Sequence, residues 1–370
     1  MMFKFGNVEI GGADPVVIAE AGVNHLRDKK LAIEIIMAAK RAGAGIVKFQ
    51  TYTAEKLTTA NAPRFWQWSG EHVEDGSQRD SYKKLETADL AFTKFLLQTC
   101  EEIGVEFMST PFDLEAASML DEIGSKGFKI ASGDLLNVPL LEKVASFKKP
   151  VFLSTGAANL EEIQFSINTL ERNGASDICI MQCTLCYPTR IEDANLSALL
   201  DIRAHFPGYV LGLSDHTIGT LVPALSTMYG SMVIEKHFTV DKSLPDSADH
   251  WLSVDEVELS QLVDYLKAAK RSVGSNKKRM LECEIPTRLN ARRSLVVVGE
   301  IRKGEKFTEK NLTTKRPGTG IAARFFHDVC GLTASRDLRD DHMLGHDDIL
   351  EDAFFMSISE KKLKSANGII

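Results

Sequence analysis

No apolar run in this 370-residue chain approaches the ~20 residues that cross a bilayer, so the sequence predicts no membrane span. Six cysteines over this length are too few for a disulfide framework, and a reducing, cytoplasmic setting is expected. The opening Met1-Met2-Phe3-Lys4-Phe5 lacks the apolar core and cleavage site of a secretory leader. Basic excess is missing too. The net charge of −7 argues against a general nucleic-acid binder, although a few placed lysines could still hold an anion. Cys183-x-x-Cys186 has the spacing of a metal knuckle but no second Cys/His pair at finger spacing. Cys183 reads as a strand residue and Cys186 as loop.

What is present is ordinary globular composition, 44% hydrophobic and 26% charged. The length exceeds what one hydrophobic core usually spans, so a large and a small domain are expected. Short runs rich in Val, Ile, Phe and Leu predict strands over Val16–Glu20, Gly45–Gln50, Val105–Ser109, Phe128–Ala131, Val151–Ser154, Ile178–Cys183, Tyr209–Leu213 and Met232–Glu235. Helical patterns follow at Lys29–Ala42, Leu90–Ile103, Leu114–Ile123, Pro139–Phe147, Leu160–Arg172, Leu196–His205, Ile218–Tyr229 and Val254–Ala269. Eight such alternations point to a (β/α)8 TIM barrel; an open doubly wound sheet would fit six strands better. The domains are expected at 1–273 (barrel), 274–290 (linker) and 291–351 (a small, strand-poor module), with a loose tail at 352–370. The insertion Thr51–Thr87 carries Phe65, Trp66 and Trp68 without clear periodicity, as a lid or interface would.

Two of the strands end in histidine, Ser214-Asp215-His216 and Glu235-Lys236-His237, with one helix-length segment between them. A strand–helix–strand unit returns the second strand parallel to the first, so both imidazoles emerge at one sheet edge, where they can share a metal ion. The other barrel strand ends offer Glu20, Asn24-His25, Gln50, Ser109-Thr110, Ser132-Gly133, Ser154-Thr155-Gly156, Gln182, Thr184 and Tyr187-Pro188. Lys48 and Lys129 lie within or at the end of buried strands. A lysine there needs a partner: a barrel carboxylate or a bound anion, with the neighbouring serines and glycines suited to phosphate. Schiff-base chemistry at one lysine also stays open. Metal, phosphate and the carboxylates Glu20, Glu235 and Asp249 together fit activation of a carbonyl for carbon–carbon bond formation or cleavage.

At these residues the chain resembles the sialic acid synthases and their relatives, the N-acetylneuraminate, legionaminate and pseudaminate synthases. The stretches that carry the likeness are 18–25, Val47-Lys48-Phe49-Gln50, Ser109-Thr110-Pro111-Phe112, Lys129-Ile130-Ala131-Ser132-Gly133, Cys183-Thr184 with Tyr187-Pro188-Thr189, both histidine motifs, and Asp249-His250. Arg292-Arg293-Ser294 and Lys315-Arg316-Pro317-Gly318-Thr319-Gly320 are similar to the family's antifreeze-like (SAF) module. The resemblance implies condensation of phosphoenolpyruvate with an open-chain N-acetylated amino sugar, releasing phosphate. It implies that His216 and His237 hold Mn2+, with Co2+ or Mg2+ as alternatives, and that Glu235 holds a water. Phosphoenolpyruvate would contact Lys48, Thr110, Lys129, Ser132, Ser154, Tyr187 and Ser214. The sugar would contact Glu20, Gln50 and Asp249. A domain-swapped homodimer would bring Arg316 to the neighbouring barrel.

Leu185 and Arg190 depart from the family's common pattern near the expected sugar, as does Asn24-His25-Leu26-Arg27. These changes bear on which sugar is used, not on the metal or phosphate residues. A metal-dependent aldolase or hydrolase without phosphoenolpyruvate is the other reading, and a non-catalytic carbohydrate binder a third. Intact Glu20, Lys48, Lys129, His216 and His237 argue against the last.

Overall fold

The chain begins with an antiparallel hairpin, β1 (Phe3–Phe5) and β2 (Val8–Ile10), turned at Gly6, whose φ is 57°. No alternation long enough to announce it exists in six strand residues. In this computed structural model the described residues are 2–64, 76–244 and 249–351. The aromatics Phe65, Trp66 and Trp68 and the expected tail at 352–370 lie outside them.

Eight strand–helix steps follow. They are β3 (Val16–Gly22), α1 (Lys29–Arg41) and β4 (Ile46–Thr51), then the short α2 (Ala54–Leu57) and α3 (Gln78–Lys83) of the insertion, and α4 (Leu90–Ile103). Next come β5 (Glu106–Pro111), α5 (Leu114–Glu122), β6 (Phe128–Ile130), α6 (Val138–Ser146), β7 (Val151–Ser154) and α7 (Leu160–Arg172). The set closes with β8 (Ile178–Cys183), α8 (Ala198–His205), β9 (Val210–Asp215), α9 (Leu221–Ser226), β10 (Val233–His237) and α10 (Glu256–Val273). The parallel strands run in the order β5-β4-β3-β10-β9-β8-β7-β6, and β5 and β6 lie side by side where the barrel closes.

Each strand has two destinations for its side chains. Val17, Ala19, Val47, Phe49, Phe128, Ile130 and Leu153 face the helices. Ile18, Ile46, Met108, Phe152, Met181, Val210 and Val233 face the barrel axis, where Phe3, Phe5 and Ile10 of the hairpin join them. Phe5 meets Phe152 edge-on at 5.5 Å, so the hairpin stoppers the amino-terminal end of the barrel. With period two, the next inward residues along the strands are polar: Glu20, Lys48, Thr110, Ser154, Ser214 and Glu235. Gly212 is the inward exception, since a Cβ there would sit 2.9 Å from the Val233 carbonyl and 3.0 Å from Met181.

Several strands outrun their apolar runs. Pairing continues through Lys236↔Asp215 and His237↔Glu20, because backbone bonding does not depend on hydrophobicity. The helix expected over Ile218–Tyr229 is shorter. Gly219 takes φ 83°, Ile218 is exposed, and only Leu221–Ser226 is α-helical before a 3-10 turn at Thr227–Tyr229.

The chain divides into two compact units between Gly274 and Ser275. In the second, the stretch read as linker holds a helix, α11 (Ile285–Ala291), whose Leu289 carbonyl accepts from Gly318 N–H. Strands β11 (Ser294–Val297) and β12 (Leu312–Lys315) pair antiparallel, and the helix α12 (Phe326–Val329) follows. Its core holds Leu295, Val297, Ile301, Phe307, Leu312, Ile321, Leu338 and Leu344.

Candidate active site

The inward polar residues form a network at the carboxyl end of the barrel. Lys48 Nζ lies 2.7 Å from Glu20 Oε2 and 3.6 Å from Glu235 Oε1, and donates to Thr110 Oγ1 at 3.2 Å. Lys129 Nζ reaches the same Glu235 oxygen at 3.3 Å from across the barrel, and Ser214 Oγ donates to it at 3.0 Å. The Gln50 amide donates to Glu20 Oε1 at 3.0 Å. Glu20, Lys48, Lys129 and Glu235 are all nearly inaccessible to solvent. The lysines therefore have carboxylate partners. An anion contact is not thereby lost, because each ammonium has three donors.

Burial disfavours charge on all four, and the neighbours decide the outcome. For Glu235 the two lysines and Ser214 overcome burial and hold the carboxyl below its ordinary range. For Glu20 burial, aided by the Glu235 charge, outweighs Lys48 and raises it. Burial also works against Lys48, but Glu20 and Glu235 together keep its ammonium above the ordinary value. Lys129 is lowered, by burial first, with repulsion from Lys48 offsetting part of the attraction of Glu235, Cys183 and Glu20. The groups are thus graded: one carboxyl of raised proton affinity, one of lowered, and one lysine easier to neutralise than the other.

One layer further out stand the histidines. Their ring centroids are 5.4 Å apart. His216 Nδ1 lies 3.0 Å from the Thr184 carbonyl and 3.8 Å from Cys183 Sγ, so an Nδ1 proton would point there and leave Nε2 as a lone pair. His237 is pushed well below its ordinary value, by burial first and then by His216 and Lys48, which keeps it neutral. Its Nδ1 is buried without a hydrogen-bond partner, 3.6 Å from Asp249 Oδ2. Burial raises Asp249 to about 6. Tyr187 packs on His216 at 4.0 Å and edge-on to His237 at 5.9 Å. Burial works against charge on His216, but Cys183 and the Thr184 carbonyl outweigh it and hold His216 above its ordinary value, so a borderline divalent ion would find His237 ready as a neutral donor and displace a proton from His216. Among the described residues no three His, Cys, Asp or Glu side chains already converge as a ligand set.

The remaining expected residues fall around this centre. Gly22, with φ 51°, has Gln50 Nε2, Glu20 Oε1 and Asp249 Oδ2 all within 4 Å of where its Cβ would be, which brings the three expected sugar contacts to one spot. Ser132 Oγ accepts from Gly156 N–H at 2.9 Å, and the same glycine faces Leu185 and Cys183. Ser154 Oγ is buried without a hydrogen-bond partner. Arg316 is exposed, on a loop of the second unit.

Some sequence expectations need correction. Arg190 turns to Asp193 at 2.6 Å on the surface, away from the site. Asp215 and Lys236 point outward, into the layer between strands and helices, because they alternate with inward neighbours. His25 also leaves the ring of strand ends and packs between Phe49 and Phe92. Cys183 and Gly22 were missed as site components; Cys183 sits in phase with Cys179 and Met181 of the inner face, a signal the sequence did contain.

Residues 35–278 match the NeuB family and residues 292–350 match the SAF domain. The chain belongs to the NeuB family. N,N'-diacetyllegionaminic acid synthase of Campylobacter jejuni is 38% identical to this NeuB chain, covering 89% of it and 98% of the relative. Pseudaminic acid synthase of Helicobacter pylori is 35% identical, over 90% and 98%. Among solved structures, N-acetylneuraminic acid synthetase from Leptospira borgpetersenii superposes with a TM-score of 0.69 at 32% identity, covering 78% of this chain and 95% of that one. The barrel and the SAF module of the NeuB chain are those expected from its sequence.

Proposed function

We propose that this protein is a synthase of nonulosonic acids that condenses phosphoenolpyruvate with an open-chain N-acetylated amino sugar and releases phosphate. The observation that carries the reading is the convergence of Lys48, Lys129, Glu20 and Glu235 below a pair of imidazoles at one barrel mouth. The names of the relatives support it and give no support to an aldolase or hydrolase that works without phosphoenolpyruvate. Lys48 and Lys129, with Thr110, Ser132, Ser154, Ser214 and Tyr187, would bind the phosphate and carboxylate. Glu20, Gln50 and Asp249 would bind the sugar. His216 and His237 would hold a divalent ion, Mn2+ first among the candidates with Co2+ or Mg2+ next, which when bound polarises the sugar aldehyde as a Lewis acid.

The enol carbon of phosphoenolpyruvate forms the new carbon–carbon bond, and the aldehyde oxygen takes a proton, for which Glu20 is suited by its raised proton affinity. The cationic carbon that remains receives a water, which the ionised Glu235 orients; one of its protons replaces the one Glu20 gave, and the other leaves with the phosphate. Phosphate then departs with its bridging oxygen, leaving a 2-keto acid. Arg316 of the partner subunit would grip the sugar's acyl group with its planar guanidinium in a domain-swapped homodimer. A cytoplasmic location completes the proposal; among the described residues no helix is long and apolar enough to cross a membrane.

The test is a panel of N-acetylated amino sugars with phosphoenolpyruvate and Mn2+, read by phosphate release and by mass spectrometry. Release only with both substrates, together with a product of the summed mass, supports the reading. Sugar cleavage without phosphoenolpyruvate would overturn it.

A further inference from the structure

Asp215 and Lys236 are direct neighbours across the β9–β10 ladder, and each immediately precedes one of the two histidines. Their side chains meet on the outward face, Lys236 Nζ to Asp215 Oδ2 at 2.7 Å, both almost wholly buried. Lys236 donates to the Thr217 carbonyl as well. Thr217 Oγ1 in turn reaches both Asp215 oxygens, at 3.0 and 2.9 Å. One ammonium thus holds the residue before His216 and the residue after it. The His216 carbonyl is fixed from the other side, by Thr189 N–H at 2.9 Å.

Stability alone does not call for this arrangement. A buried ion pair is often no better than an apolar pair of the same volume. What an apolar pair lacks is direction: it cannot hold two backbone positions at set angles to a third. The histidine after β9 has left the strand, and an isolated bridge between Thr189 and Thr217 stands in place of the continuous ladder that holds His237.

We propose that the Asp215–Lys236 ion pair is a positioning device that sets the separation and orientation of the His216 and His237 imidazoles for a shared divalent ion. Neither residue touches substrate. The inference rests on the reading of the two histidines as metal ligands.

The test is the paired variant Asp215→Leu/Lys236→Met, which removes both charges and leaves neither buried alone. It is compared with native protein by equilibrium dialysis against Mn2+, and, metal-free, by 15N spectra of the histidine side chains. The expected result is a folded protein with a near-native thermal midpoint, Mn2+ affinity at least tenfold weaker, and displaced or broadened imidazole signals for His216 and His237. His25, which makes no contact with the pair and packs between Phe49 and Phe92, serves as the reference signal. Native Mn2+ affinity with native imidazole signals would overturn the proposal. If native protein binds no Mn2+, the metal reading fails, and the imidazole signals alone decide whether the pair positions the rings. Should the apolar pair not fold, Asp215→Asn/Lys236→Gln, uncharged but still hydrogen-bonding, is put through the same two measurements.

Discussion

Lys48 Nζ stands 2.7 Å from Glu20 Oε2, on paired positions of adjacent strands, with both side chains shielded from solvent. The pair ties the stability of the barrel to its chemistry. Lys48→Met should leave the buried Glu20 and Glu235 carboxyls with one cation fewer and cost up to ~3–5 kcal/mol, reduced by whatever Glu20 recovers on taking up a proton. Adding Glu20→Gln should restore much of that loss in urea unfolding, yet turnover should stay absent. Recovery of activity with stability would remove both residues from the chemistry.

Lys129 has only one carboxylate partner, so its replacement disturbs the network less. Lys129→Met should raise the apparent KM for phosphoenolpyruvate roughly ten- to hundredfold, the worth of one charge-assisted bond at ~1.5–3 kcal/mol. Steady-state kinetics at varied phosphoenolpyruvate measures it. An unchanged KM would return Lys129 to a purely internal ion-pair role.

Removal of metal should abolish turnover, and Mn2+ or Co2+ should restore it in native protein but not in His216→Ala or His237→Ala. Metal content of the dialysed variants, read by atomic emission, separates lost binding from lost folding. Full activity of rigorously metal-free native protein would dismiss this site as a metal centre.

His25, packed between Phe49 and Phe92 and outside the ring of inward polar residues, supplies a pH test of stability. Burial, with help from Arg27, lowers it to about 4, against 6.5 for an exposed histidine. Between those values the unfolded chain binds a proton that the folded one refuses. Stability therefore rises with pH across that window, and falls as pH drops from 6.5 towards 4, by ~3 kcal/mol from this group. His25→Asn, which keeps an acceptor for Arg27 N–H, should flatten that part of the curve in urea unfolding at pH 4.5, 6 and 7.5. A variant curve parallel to the native one would mean that His25 titrates normally.

Subunit mixing addresses Arg316. Assayed at phosphoenolpyruvate well below the raised KM, Lys129→Met should be nearly inactive, as should Arg316→Ala, while in the proposed domain-swapped arrangement mixed dimers would regain one site with both residues. No recovery, in mixtures shown to exchange subunits, would mean that Arg316 acts on its own barrel or not at all.

Much of this was legible in the chain. Apolar runs located all eight barrel strands, and polar residues at their ends located the mouth. The hairpin was not legible, because three-residue strands carry no period. Strand ends were placed short wherever polar side chains continued an unbroken ladder, as at Lys236-His237. Direction was the harder matter: a sequence gives Asp215 and Glu235 the same look, while alternation sends one out to Lys236 and the other in to Lys48 and Lys129. Arg190 was misplaced for a similar reason, since a local acidic partner three residues on outcompetes a distant site.

The aromatic stopper at Phe5 and Phe152 has a consequence for traffic. A vessel sealed at its base has one doorway, and its contents leave in reverse order of stacking. Lys48 lies one inward position deeper than Gln50 on the same strand, and Glu235 one deeper than His237. A molecule seated on the lysines must go in before one seated on Gln50 and Asp249. With phosphoenolpyruvate on the lysines and the sugar on Gln50 and Asp249, as proposed, loading would be a queue, phosphoenolpyruvate first, and dead-end inhibition by sugar analogues uncompetitive against phosphoenolpyruvate would be its kinetic signature.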